Sequence, residues 1–229
     1  MIVVVGLPAL RLGNPPTAGG RASEVALEAT RRGSRVELIG ACGDDRDGDA
    51  LLIALATAGI GHAATLRDPS RPTPVLPADE AAAVDDDEDD GLAISLLAEA
   101  PETDAHADPP ASVVLRPSLD RADIALGLAY LTSFEVLVVT DDIASEALPA
   151  ALEAAAWSSA HLVLLVADAM AVPADLPASS TVLAAPAEAD GGAFGSLIGA
   201  YAGALDAGAS PGDAFATATT GWEALAGPG

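Results

Sequence analysis

Lysine is absent from this 229-residue chain, and all ten of its basic residues are arginine. Set against 34 acidic residues, they leave a net charge of −24. Binding to a phosphate backbone needs a basic surface, so nucleic acid is disfavoured as a partner. Anionic membranes are disfavoured for the same reason. The single cysteine, Cys42, excludes an intrachain disulfide. It follows an apolar run and reads as a small buried hydrophobe rather than a nucleophile. Aromatics make up only 3% of a chain that is 51% hydrophobic, so its core has to be built from Ala, Leu and Val. No stretch approaches the roughly 18 uncharged apolar residues that span a bilayer. No basic segment followed by an apolar one opens the chain, which reads as cytoplasmic. The three histidines are far apart in sequence, with no metal-type Cys/His spacing. Neither a Gly-x-Ser-x-Gly elbow nor a Walker-type loop with its lysine is present.

Two sources of the acidity stay open. Proteins of salt-loving organisms carry such surfaces, because high ionic strength screens the self-repulsion. A GC-rich genome also accounts for it, together with the abundance of Ala and Arg.

The most ordered text runs from Gly19 to Ile60. Gly19 and Gly20 precede a helix and allow either a close backbone approach or a positive φ. Val25, Ala26 and Ala29 fall at helical spacing, and Gly33 suits the helix end. Val36 to Ala41 reads as a strand, and Gly43-Asp44-Asp45 turns into a second helix carrying Leu51, Leu52, Leu55 and Ala58. A first strand at Ile2 to Val5 is apolar throughout, as a central parallel strand is. Further on, strands are predicted at Phe134 to Thr140, His161 to Ala167 and Thr181 to Ala184. Helices are predicted at Leu119 to Leu131, Glu146 to Trp157 and Gly195 to Leu205. Ser210-Pro211 opens a last helix, with Ser as cap and Pro at the first helical position. This alternation predicts an α/β fold with a mainly parallel sheet flanked by helices, and ligands at the carboxyl ends of the strands.

Between Gly61 and Glu99 the text changes to short strands at Ala63 to Arg67, Pro74 to Ala78 and Leu92 to Leu97. The acidic run Asp85 to Asp90, followed by Gly91, reads as a solvated hairpin tip. It lacks the spacing of a calcium loop. Ala100 to Pro110 reads as a linker, with His106 solvated, and Ser112 to Leu115 as a short strand. His161 reads as structural.

The block resembles the N-terminal part of the ribokinase/PfkB carbohydrate kinases. Gly19, Gly20, Gly33, Gly40, Gly43, Asp44, Asp45, Gly48, Gly59 and Ile60 stand in register with that family's pattern, and Pro72-Thr73 matches the Pro-Thr that follows. Gly191-Gly192-Ala193-Phe194 matches the end of the family's Gly-Ala-Gly-Asp motif and the Ala-Phe after it. The resemblance implies a single three-layer ribokinase-like domain over residues 1–229. A small β lid would come from about 10–18 and 61–99, and a homodimer contact is expected through that lid. It also implies sugar or nucleoside phosphorylation with ATP and Mg²⁺.

The positions that should carry this chemistry are altered. The family's catalytic Asp aligns with Gly192, which has no side chain to act as a base. Asp190 is the weak substitute. The family's sugar-anchoring Asp aligns with Arg11, and its Asn with Glu24. These two changes are complementary in charge, and an ion pair in the former sugar pocket is the expectation. Gly19 and Gly20 stay as substrate-side positions, and Gly191, Gly192 and Ala193 as an anion-binding helix start. Of the family's Asn-x-x-Glu motif only Glu188 is left, and the units that contact adenine and ribose are missing before Gly191. The expectation is a kinase homologue without activity that binds a small molecule or a partner. No cofactor is expected. The alternative is an active kinase with an atypical base, using ATP and Mg²⁺.

Overall fold

The computed structural model describes residues 1–78, 116–131, 133–167, 172–185 and 192–226, the last six of these by their backbone alone. β1 (Ile2–Val5) lies at the centre of a six-stranded sheet, and all four of its residues are buried. A strand covered on both faces carries no alternation, which is why it reads as Ile-Val-Val-Val. β1 pairs in parallel with β4 (Val36–Gly43) and β7 (Val136–Val139), Ile2 standing opposite both Val36 and Val136. Beyond β7 lie β8 (His161–Val166) and β9 (Ser180–Ala184), and beyond β4 lies β5 (Gly61–Asp68). The order is β5-β4-β1-β7-β8-β9, with every neighbouring pair parallel.

Helices cover both faces. Ile2 and Val4 face a core built with α1 (Arg21–Arg31), α2 (Arg46–Thr57), α5 (Ala193–Asp206) and α6 (Pro211–Ala226). Val3 and Val5 face the other core, closed by α3 (Arg121–Ala129) and α4 (Leu148–Ser158). The expected α/β layering is therefore what the chain adopts. Glycine on α5 brings α1 unusually close. An added Cβ at Gly199 would meet the Val25 carbonyl oxygen at 2.5 Å, and one at Gly195 would meet the Glu24 Cβ at 2.6 Å. Each such glycine costs a helix about 1 kcal/mol relative to Ala, a cost offset here by the tight helix–helix contact.

A second sheet of three strands lies outside the first, in the order β3-β2-β6. β2 (Ala9–Arg11) pairs antiparallel with β3 (Thr17–Gly19) and parallel with β6 (Val75–Leu76). Their connecting loop holds a cis peptide between Asn14 and Pro15. One expectation is corrected. Gly61–Asp68, assigned from sequence to the small lid, instead forms the edge of the main sheet, with Ile39 opposite Ala64 and Gly43 opposite Asp68. An edge strand is only half covered, so its mixed polar and apolar text is the same as that of a lid strand. The strands expected at Leu92 to Leu97 and Ser112 to Leu115, the acidic run Asp85 to Asp90, and His106 lie outside the described residues.

Strand order reverses between β1 and β7. The chain moves outward from β1 to β4 and β5 on one side, and from β7 to β8 and β9 on the other. In open α/β sheets the crevice at that reversal is where ligands bind.

Candidate functional site

The crevice opens where β1 and β7 end. Gly6 follows β1 directly, and a Cβ there would overlap the Thr140 hydroxyl, so only glycine lets the two strand ends come this close. The Leu7 N–H donates to the Asp142 carboxylate at 3.0 Å. Thr140 Oγ1 lies 3.1 Å from the Val5 carbonyl and also contacts Asp142 Oδ1. A hydroxyl has one proton to give. Val5 and Asp142 are alternative acceptors for it. Burial of the Asp142 carboxyl raises its pKa, against the hydrogen bonds from Thr140 and Leu7.

Arg21, at the start of α1, closes one side. Its Nε is 3.0 Å from Asp141 Oδ1, and its guanidinium lies 5.1 Å from the ring centroid of Phe194 on α5. Three elements are thereby tied across the crevice. Neighbouring Asp45 plays an architectural part. It caps α2 by accepting from Gly48 N at 2.7 Å, and it also accepts from Thr73 N at 2.9 Å and Thr73 Oγ1 at 2.7 Å. Thr73 in turn accepts from Gly43 N at 2.9 Å. Desolvation opposes ionisation of Asp45, yet the bonds from Thr73 and Gly48 prevail and hold its pKa below the usual value. Gly-Asp-Asp and the distant Pro-Thr are thus parts of one turn.

The expected pair forms. Arg11 Nη2, at the end of β2, lies 3.0 Å from Glu24 Oε1 on the first turn of α1, with the two side chains only 17% and 16% exposed. The glycine pair divides its work. Gly20 takes the positive φ of 81° that starts α1, while a Cβ at Gly19 would lie 3.1 Å from the Arg11 Cβ. What the backbone approaches at Gly19 is therefore Arg11 itself.

Glu24 also reaches the start of α5. Gly192 is the N-cap of that helix, at φ 85° and ψ 2°, and Ala193 is its first residue. A Cβ at Gly192 would stand 2.9 Å from both the carboxyl carbon and Oε1 of Glu24. The Glu24 carboxylate thus lies beside the start of α5. Asp190, Gly191 and Glu188 lie outside the described residues. Beside the pair is a cavity of about 590 Å³, lined among others by Arg11, Glu24, Leu27, Arg31, Ile53, Ala54 and Gly192. A larger depression of about 910 Å³ between α3 and α4 is lined by Phe134 and Glu135, which precede β7. It therefore sits at the wrong end of the strands for the crevice.

Sequence reasoning missed Arg21, Asp141, Asp142 and Phe194. The two aspartates had a signal, since they directly follow a buried strand whose carboxyl end should face ligand. Cys42 is buried, and burial raises its thiol pKa, as suits a structural residue. Among the described residues, no group of three His, Cys, Asp or Glu side chains could hold a metal ion. No described helix is long and apolar enough to cross a membrane.

No family model matches the sequence, and no curated protein matches it. Solved structures do. A PfkB protein from Polaromonas sp. JS666 superimposes with a TM-score of 0.61 at 15% identity, covering 99% of this chain and 95% of that one. The chain has the ribokinase fold. Ribokinase from Cryptococcus neoformans var. grubii serotype A in complex with ADP gives 0.56 at 16% identity, covering 95% and 90%. An uncharacterized sugar kinase from Pyrococcus horikoshii in complex with ATP gives 0.50 at 16% identity, covering 74% of this chain. This chain spans only 54% of that kinase's length.

Proposed function

We propose that this ribokinase-like chain is a member of the carbohydrate-kinase family that transfers no phosphate and uses its remaining pocket to bind a small molecule. The contact between Glu24 and Gly192 carries the reading. The position that resembles the family's catalytic Asp is a glycine, and the volume an Asp side chain would enter from it is filled by the Glu24 carboxylate. Phosphoryl transfer needs a base at the acceptor hydroxyl and donors for the developing charge. Here the first is absent from position 192, and the Glu24 carboxylate lies beside the helix start that would supply the second.

Two further observations support it. Arg11 and Glu24, standing where the resemblance places sugar-anchoring groups, neutralise one another. Among the described residues the sheet stops at β9, and the chain enters α5 at Ala193 without the strands that resemblance places on the adenine side. A homodimer through the small sheet belongs to the same proposal, since Leu12 and Val75 are exposed there.

The test is direct. Purified protein is titrated with ATP and Mg²⁺ by calorimetry and assayed against sugar and nucleoside panels. No nucleotide binding and no product are expected. Turnover that disappears in Asp190→Ala would overturn the reading and establish an active kinase with an atypical base.

A further inference from the structure

The geometry points to a ligand class for the cavity beside the Arg11–Glu24 pair: an elongated, mostly apolar molecule ending in a single carboxylate. This rests on the reading that the pocket no longer holds a sugar for phosphorylation. The cavity is walled by facing sides of two helices, Leu27 and Arg31 from α1 and Ala50, Ile53 and Ala54 from α2, with Ala58 at the α2 C-cap. The α2 positions recur every three to four residues and so form one helix face. That face flanks the fully buried stripe of Leu51 and Leu55, and its alanines are half-buried against the same core. Alanine along it leaves a hollow, and Ile53 stands 67% exposed at its side. Water is a poor occupant for such a wall, since burying its apolar area is favourable.

A sugar is an equally poor fit. Thr17, Thr57, Ser196 and the charged groups could meet some of its hydroxyls, but those facing Leu27, Ile53 and the alanine methyls would lose hydrogen bonds to water. An apolar chain matches the wall. At about 590 Å³ the space falls within the range of small-molecule sites.

Charge supplies the end group. The ionisable lining consists of Arg11, Glu24 and Arg31, a net of +1 in a chain whose net charge is −24. Arg11 and Glu24 balance. Arg31 is the surplus, and its hold is loose. Its nearest carboxylate, Glu28, lies 3.6 Å away and is engaged at 2.8 Å by Arg32. With its side chain 67% exposed, Arg31 can close on a carboxylate carried by a ligand lying in the hollow.

The experiment uses four probes of the full chain at one fixed salt concentration: octanoate, octanol, octylammonium and ribose, followed by calorimetry and by NMR shifts. Octanoate is expected to bind at least roughly tenfold more tightly than octylammonium, with octanol between them and ribose silent. Arg31→Gln, an exposed change that leaves folding intact, should weaken octanoate roughly five- to tenfold and leave octanol unchanged. Ala54→Trp, with its fold checked by circular dichroism, should abolish both by filling the cavity. Equal binding of octylammonium and octanoate, no effect of Arg31→Gln, or no octanoate binding overturns the assignment. If ribose and ATP are silent as well, only this inference fails. ATP-dependent phosphorylation of a sugar removes the proposed function with it.

Discussion

Glu24 lies across the bare face of Gly192, with its carboxyl carbon 2.9 Å from where a Cβ at that position would stand. Glu24 fills the space that a side chain at position 192 would need. Gly192→Asp alone is therefore expected to destabilise by about 1–3 kcal/mol, from overlap with Glu24 and from a positive φ. Adding Glu24→Asn should recover part of the loss, giving a coupling of about 0.5–3 kcal/mol in a double-mutant cycle by urea unfolding. Strict additivity would show that the contact does not govern the site.

Asp142 gives a pH effect of unusual sign. Burial raises its folded-state pKa above the unfolded value near about 4. The folded state then holds more protons, so stability is full below the unfolded pKa and is lost as pH rises through the folded one. Asp142→Asn keeps the shape and carries no charge to desolvate. It is expected to be more stable than the parent at about pH 8, with the gap closing toward about pH 4. Denaturant midpoints across that range decide it, and a gap that widens in acid would refute the raised pKa.

Asp45 behaves in the opposite way. Its folded pKa is lowered, so the stability it contributes is present above the unfolded pKa and lost as pH falls through the folded one. Asp45→Ala removes the α2 cap and the partner of Thr73, which is itself buried. A loss of about 2 kcal/mol near neutral pH is expected, one part from the cap and one from the stranded threonine. Thermal melts of Asp45→Ala and Thr73→Val should show that the two losses overlap rather than add.

A net charge of −24 must strain the compact state through self-repulsion. Added salt is expected to raise the melting temperature, with most of the rise below about 1 M, where the screening length has fallen to about 3 Å. A melting curve indifferent to salt would show that the repulsion is already relieved within the fold.

What could be read in advance was what is local or complementary. Gly20, Gly33 and Gly59 mark positive-φ turns at helix ends, as glycine there implies. The Arg11–Glu24 pair was legible because two departures from a family pattern had opposite charge. The link between Arg21 and Asp141 left no such trace, since it joins an early helix to a late strand through the fold alone. The same holds for the row from His161 through Thr181 to Tyr201, two hydrogen bonds of 2.8 Å each. β5 was misplaced because an edge strand and a lid strand are half-wet alike, and only the register with β4 tells them apart.

The open edges of the main sheet bear on how far this architecture can be altered at its margins. A closed barrel cannot lose a stave, because each strand depends on two neighbours and a fixed stagger. A parallel sheet grown outward from its centre can stop at any strand. Among the described residues β1, β4, β7 and β8 each have two partners, and β5 and β9 are bonded on a single side. The crevice at the β1–β7 reversal lies at the centre, with two paired strands on either side of it, so a change at either margin leaves its two walls bonded as before.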